Sequence, residues 1–110
     1  MADPHAEPFA RVSPQEVREL VERGAVFIDV REPEEYAEAH AAGTRLVPVN
    51  TIFTDPALVP ADRDVVFICK VGGRSAMAAE MAAASGRAKG RLYSVEGGTD
   101  AWLEAGLPRE

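Results

Sequence analysis

One-sided helical stripes and continuous apolar runs follow one another along this chain. Ser13-Pro14-Gln15-Glu16 combines an N-cap serine, a proline at the first helical position and a glutamate three residues after the cap, and Val17, Leu20 and Val21 follow on one face. The pattern predicts a helix that stops at Gly24. Ala25 to Val30 is then an apolar run broken only by Asp29 and rich in branched residues, as a strand buried on both faces requires. Pro33 opens a short acidic helix through about Glu38. Leu46-Val47-Pro48-Val49 reads as a short extended segment whose proline suits a sheet edge or a strand end. Val65-Val66-Phe67-Ile68-Cys69 predicts a second buried strand, entered from the charged turn Ala61 to Asp64. A helix is expected over Ser75 to Ser85, with Met77, Glu80, Met81 and Ala84 on successive turns and Gly86 ending it in a left-handed conformation. Leu92 to Val95 gives a third strand, and Gly97-Gly98 turns it into a last helix around Trp102 that ends at Gly106 and Pro108. Alternating strands and helices at such short spacing predict an α/β domain, a parallel sheet covered by helices. Residues 1–8, with two prolines and no periodicity, read as a flexible N-terminal tail, and residues 9–110 as the domain.

Composition supports one small core. The chain has 110 residues, and Leu, Ile, Val and Phe together supply 25, just above the share at which a chain stays disordered. Acidic residues outnumber basic ones by 18 to 12, a formal charge of −6 that repels phosphate backbones and anionic bilayers, so neither nucleic acid nor a membrane is expected as partner. One cysteine cannot form an intramolecular disulfide, no stretch approaches the length of a membrane span, and the first residues, MADPHAEP, lack the basic and apolar regions of an export signal. These features read as a cytoplasmic, reduced protein. No His/Cys/Asp/Glu grouping has metal-ligand spacing, and no metal or cofactor is expected.

Chemistry concentrates at Cys69. In parallel sheets ligands collect beyond the carboxyl ends of strands, where the next helix points its N-terminus. Cys69 ends a strand, and Lys70-Val71-Gly72-Gly73-Arg74-Ser75 leads from it into a helix. The glycines let backbone N–H groups turn inward as an anion nest, and the helix dipole, Lys70 and Arg74 add to a field that favours the ionised sulfur. Thiolate fraction alone gains little: a thiol with a midpoint lowered by about 2 units is ionised roughly 25-fold more at neutral pH but is about 8-fold less nucleophilic. The larger benefit is a cradle for a charged sulfur intermediate and an anionic donor. Taken alone, the cysteine reads more readily as a small buried hydrophobe, and the glycines could be a turn and Arg74 a cap for a neighbour; their order along the chain reverses this in favour of the reactive reading. Asp29 and Arg31, at the end of the first buried strand, are expected as supporting residues that satisfy backbone groups, with fixing the loop or attracting an anion as the functional alternative. His40 reads as a hydrogen-bonded structural histidine, Glu34, Glu35 and Glu38 as a solvated helix face, and Trp102 as core with its N–H seeking a partner.

Four segments together resemble the single-domain rhodaneses, the thiosulfate sulfurtransferase family, over about residues 10–108: Ile28-Asp29-Val30-Arg31-Glu32 with Glu35-Tyr36; His40, Gly43 and Pro48-Val49-Asn50; Cys69 to Ser75; and Val95-Glu96-Gly97-Gly98 with Trp102 and Pro108. The resemblance implies a rhodanese-like fold, a five-stranded, mainly parallel sheet with helices on both faces and a short first strand near Arg11-Val12. It also implies a persulfide on Cys69, loaded by an anionic donor such as thiosulfate and passed to a thiol or cyanide, with thioredoxin or a sulfur-carrier protein among the acceptors. Ala39-His40-Ala41-Ala42-Gly43-Thr44-Arg45 departs from the family's usual pattern around the histidine. Cysteine phosphatases and arsenate reductases of the related fold place five residues between Cys and Arg, whereas here there are four, Lys70 to Gly73, a smaller ring that suits one sulfur. A non-catalytic interaction module is the third reading, and the intact cysteine with both loop cations speaks against it.

Overall fold

The computed structural model describes residues 7–110, so the tail expected over residues 1–8 lies, as far as residue 6, outside the described residues. Five strands, β1 (Ala10–Val12), β2 (Val26–Asp29), β3 (Arg45–Leu46), β4 (Val65–Ile68) and β5 (Leu92–Val95), form one sheet in the order β1-β5-β4-β2-β3, every neighbouring pair parallel. Between them run α1 (Pro14–Glu22), α2 (Pro33–Glu38), α3 (Val49–Thr54), a 3-10 turn at Pro56–Leu58, α4 (Gly73–Ala84) and, last, α5 (Gly98–Glu104).

The two buried runs read from the sequence, β2 and β4, lie side by side within the sheet, and the third strand, β5, flanks β4. Side chains of period two split them between opposite faces: Ile28, Val65 and Phe67 pack with Ile52 and with Ala78, Ala79 and Ala82 on the α3/α4 side, while Phe27, Val66 and Ile68 pack with Val17 and Trp102 on the α1/α5 side. Phe67 and Ile68 are fully buried, each worth about 1.5–3 kcal/mol of apolar transfer. α1 begins as expected, the Ser13 amide and hydroxyl both donating to the Glu16 carboxylate at 3.2 and 2.9 Å. The Trp102 ring N–H donates to the Pro108 carbonyl at 2.7 Å.

Two local expectations need correction. The extended segment at 46–49 is shorter: β3 ends at Leu46, and Pro48 is the N-cap of α3, because proline's fixed φ suits a helix start as well as a strand end. α4 starts at Gly73, two residues before Ser75. Its buried side is Ser75, Ala78, Ala79 and Ala82, while Met77 is 53% exposed; small side chains let this helix approach the sheet closely.

The departure around His40 is stitched to the last residues. The His40 amide donates to the Glu110 carbonyl, the Glu110 amide donates back to His40, and the Ala42 amide donates to Pro108, at 3.0, 2.8 and 3.0 Å. The His40 ring stacks on Tyr36 at 3.6 Å between centroids, and its Nδ1 lies 2.8 Å from the Tyr36 carbonyl, so it is a structural histidine.

Candidate active site

Cys69 follows β4 and is 1% exposed. Its Sγ accepts a hydrogen bond from the Gly72 amide at 3.0 Å and lies 3.4 Å from Ser75 Oγ. Gly72 is the N-cap of α4 with φ +118°, a left-handed conformation that bends the chain back over the sulfur and that a residue with a side chain rarely adopts. The loop is therefore an N-terminal helix turn wrapped on a sulfur atom, with the amides of Gly73, Arg74 and Ser75 in the first turn, where a helix supplies them no partner. Val71, at the loop's crest, is 63% exposed.

Two hydroxyls lie on the sheet side of the sulfur. Ser75 Oγ lies 3.1 Å from the Gly72 carbonyl, to which it donates, and 2.8 Å from Ser94 Oγ on β5. Both serines are almost fully buried.

The two loop cations are not left facing the sulfur alone. Arg74 makes a two-point pair with Glu35 of α2, at 2.6 and 2.9 Å. The guanidinium's hydrogen bonds hold the Glu35 carboxyl down from its ordinary 4.5 to about 2, and Glu35 in turn keeps Arg74 charged. Lys70 Nζ pairs with Asp100 of α5 at 2.7 Å. Glu35 thus leaves the solvated face on which the acidic run of α2 placed it: the run's periodicity shows an exposed helix, but only the sheet order brings that helix against α4. Asp29 and Arg31 form the buried strand-end pair the sequence suggests. The carboxylate takes three guanidinium contacts of 2.9 to 3.1 Å and the Arg31 amide, and Arg31 also donates to the Ala39 carbonyl at 2.8 Å. Neither reaches the sulfur; they fix the turn from β2 into α2.

The Gly97-Gly98 turn does more than reverse the chain. The Thr99 amide donates to the Cys69 carbonyl at 2.7 Å and the Asp100 amide to the Lys70 carbonyl at 3.1 Å, so the start of α5 clamps the start of the loop. A β-carbon at Gly98 would stand 2.5 Å from those same peptide atoms. A cleft of about 150 Å³ opens beside the loop, lined by Arg31, Glu35, Lys70, Thr99 and Asp100 among others; the Thr99 hydroxyl is buried without a partner among the described residues. A larger hollow of about 480 Å³ lies at the amino end of the sheet, between Phe9, Ala83 and Tyr93, away from the cysteine. No described helix is long and apolar enough to cross a membrane.

Comparison with known proteins bears on this geometry. The family described as "Rhodanese-like domain" matches residues 13–105. Thiosulfate sulfurtransferase GlpE of Pseudomonas paraeruginosa is 31% identical over 97 residues, covering 88% of this chain and 86% of that protein. Among solved structures, a rhodanese-related protein from Thermoplasma volcanium superposes with a TM-score of 0.81 at 26% identity, over 93% of this chain and 98% of that one. A Rhodopseudomonas palustris protein titled a possible tyrosine phosphatase superposes with a TM-score of 0.79 at 28% identity, over 93% of this chain and 85% of that one.

Proposed function

The chain belongs to the rhodanese-like domain family, and from that premise we propose that it is a sulfurtransferase carrying sulfane sulfur on Cys69, from an anionic donor such as thiosulfate to a thiol or cyanide. The observation that carries the reading is the Cys69 sulfur itself, held at a strand end under the Gly72 amide and the first turn of α4. Relatives named thiosulfate sulfurtransferase over most of the chain support it.

In the loading step the Cys69 thiolate attacks the outer sulfur of thiosulfate. The new S–S bond forms as the bond to the sulfonate sulfur breaks, and sulfite departs with the electron pair. In the unloading step a thiolate or cyanide attacks the outer persulfide sulfur, and Cys69 leaves as thiolate. No external oxidant or reductant is needed. The amides of the first turn of α4 are placed to hold the charge of the persulfide's outer sulfur after loading and of the departing Cys69 sulfur in unloading, and a fixed set of donors does so without reorganisation. The cleft beside Lys70, with the unpartnered Thr99 hydroxyl, offers a place for the donor's oxygens.

Treatment with thiosulfate followed by intact-mass analysis tests the proposal. One added sulfur atom is expected, removed by cyanide and absent from Cys69→Ala. Retained transferase activity in Cys69→Ala would overturn it.

A further inference from the structure

The two hydroxyls behind the sulfur are more than packing. Ser94 stands in the middle of the sheet, paired in register with Phe67 on one side and Arg11 on the other, and it shares with Leu92 the face that packs on α4. A valine would fill such a position at no polar cost, whereas a buried hydroxyl without a partner costs about 1–3 kcal/mol. Among the described residues the Ser94 hydroxyl has one side-chain partner, Ser75 Oγ, at 2.8 Å. Ser75 in turn touches the Gly72 carbonyl at 3.1 Å and the Cys69 sulfur at 3.4 Å.

Counting hydrogens gives the arrangement a direction. Ser75 owns one hydroxyl hydrogen. With a neutral thiol, S–H donates to Ser75 Oγ, and Ser75 donates to the Gly72 carbonyl. Once the sulfur has lost its proton to solvent it only accepts, and a Ser75 oxygen facing it with lone pairs would be repelled. The Ser75 hydrogen then turns from the Gly72 carbonyl to the sulfur, a rotation about one bond. That rotation leaves the Ser75 oxygen needing a donor behind it, and Ser94 is the hydroxyl in place to supply one. A donated hydrogen bond also polarises the O–H it acts on, strengthening its bond to an anion.

We propose that Ser94 is a positioning residue for Cys69: by donating to Ser75 it makes Ser75 a donor to the sulfur whenever the sulfur is anionic, as thiolate before loading and as leaving group in unloading. This rests on the sulfurtransferase reading for its purpose but not for its test. Ser94 acts through Ser75 and touches no reactant.

The test is the pH profile of Cys69 alkylation by iodoacetamide, which reads this chain's single cysteine and requires no sulfur transfer. Ser94→Ala is expected to move the midpoint up by about 0.5 unit, equivalent to roughly threefold less thiolate at neutral pH. Ser94→Thr, which keeps the hydroxyl, should restore the wild-type midpoint. In a Ser75→Ala background the Ser94→Ala change should add nothing, because the intermediary is gone. The other charged groups around the sulfur stay unchanged in these variants: Arg74 with Glu35, Lys70 with Asp100, the Asp29–Arg31 pair at the end of β2, and Glu96 after β5. A Ser94→Ala midpoint equal to wild type, or the same shift with and without Ser75, overturns the proposal. If Ser94→Thr does not fold, that double comparison decides alone. Failure of sulfur loading with the alkylation shifts intact would count against the transferase reading and leave the role of Ser94 standing.

Discussion

Arg74 and Glu35, 39 residues apart in sequence, form a two-point ion pair of 2.6 and 2.9 Å that ties the first turn of α4 to α2. Its acid dependence follows from the sign of the shift. Glu35 has a folded-state value near 2, below its ordinary 4.5, so its contribution to stability is complete above about 4.5 and is lost as pH falls through about 2. The pair is about one-third exposed, which limits that contribution to about 1 kcal/mol. Thermal melts of wild type and Glu35→Gln should differ at pH 6 and converge toward pH 2. An unchanged difference between pH 6 and pH 2 would contradict the assignment.

Lys70 is neutralised across the mouth of the loop by Asp100. Asp100→Asn should release its charge for an anionic donor and raise kcat/KM for thiosulfate about two- to fivefold at low salt, with no gain for a neutral persulfide donor. Lys70→Ala should lower thiosulfate use selectively. Equal effects on charged and neutral donors would assign Lys70 a structural role only.

Gly98 carries φ +58° and has no room for a side chain against the Cys69 and Lys70 peptides. Gly98→Ala should therefore push the clamp off the loop, costing about 2–4 kcal/mol in denaturant melts and most of the transferase activity. Full activity in this variant would show that the clamp does not shape the loop.

Ring size separates sulfur transfer from phosphatase chemistry. With four residues between Cys69 and Arg74, hydrolysis of an aryl phosphate should be negligible beside sulfur transfer. One glycine inserted between Gly72 and Gly73 should widen the ring, reduce sulfur transfer and strengthen arsenate or phosphate binding in calorimetry. Comparable phosphatase and transferase rates in the unmodified chain would refute the size argument.

Much of this was legible from local signals. Continuous apolar runs marked β2 and β4, the Ser13-Pro14-Gln15-Glu16 start marked α1, and the order strand, cysteine, glycines, helix marked the loop, because each signal lies within a few consecutive residues. The partners of that loop were not. Glu35 read as one acid of a solvated helix face, and nothing local singled out Asp100 or Ser94; their roles depend on which helix the sheet order sets beside which loop. Which side of α4 meets the sheet was not legible either: the sheet accepts the alanine side, and hydrophobicity per residue does not register closeness of approach.

The clamp from α5 also bears on the order in which the molecule assembles. Lys70 and Asp100 are separated by 30 residues, and the carbonyls of Cys69 and Lys70 find their donors only when β5 is paired and α5 has docked. Without that docking those two carbonyls lack these donors and the start of the loop is unclamped. In the folded chain Cys69 is 1% exposed. The strand beside β4 and the helix after it thus complete the hold on the loop that carries the sulfur.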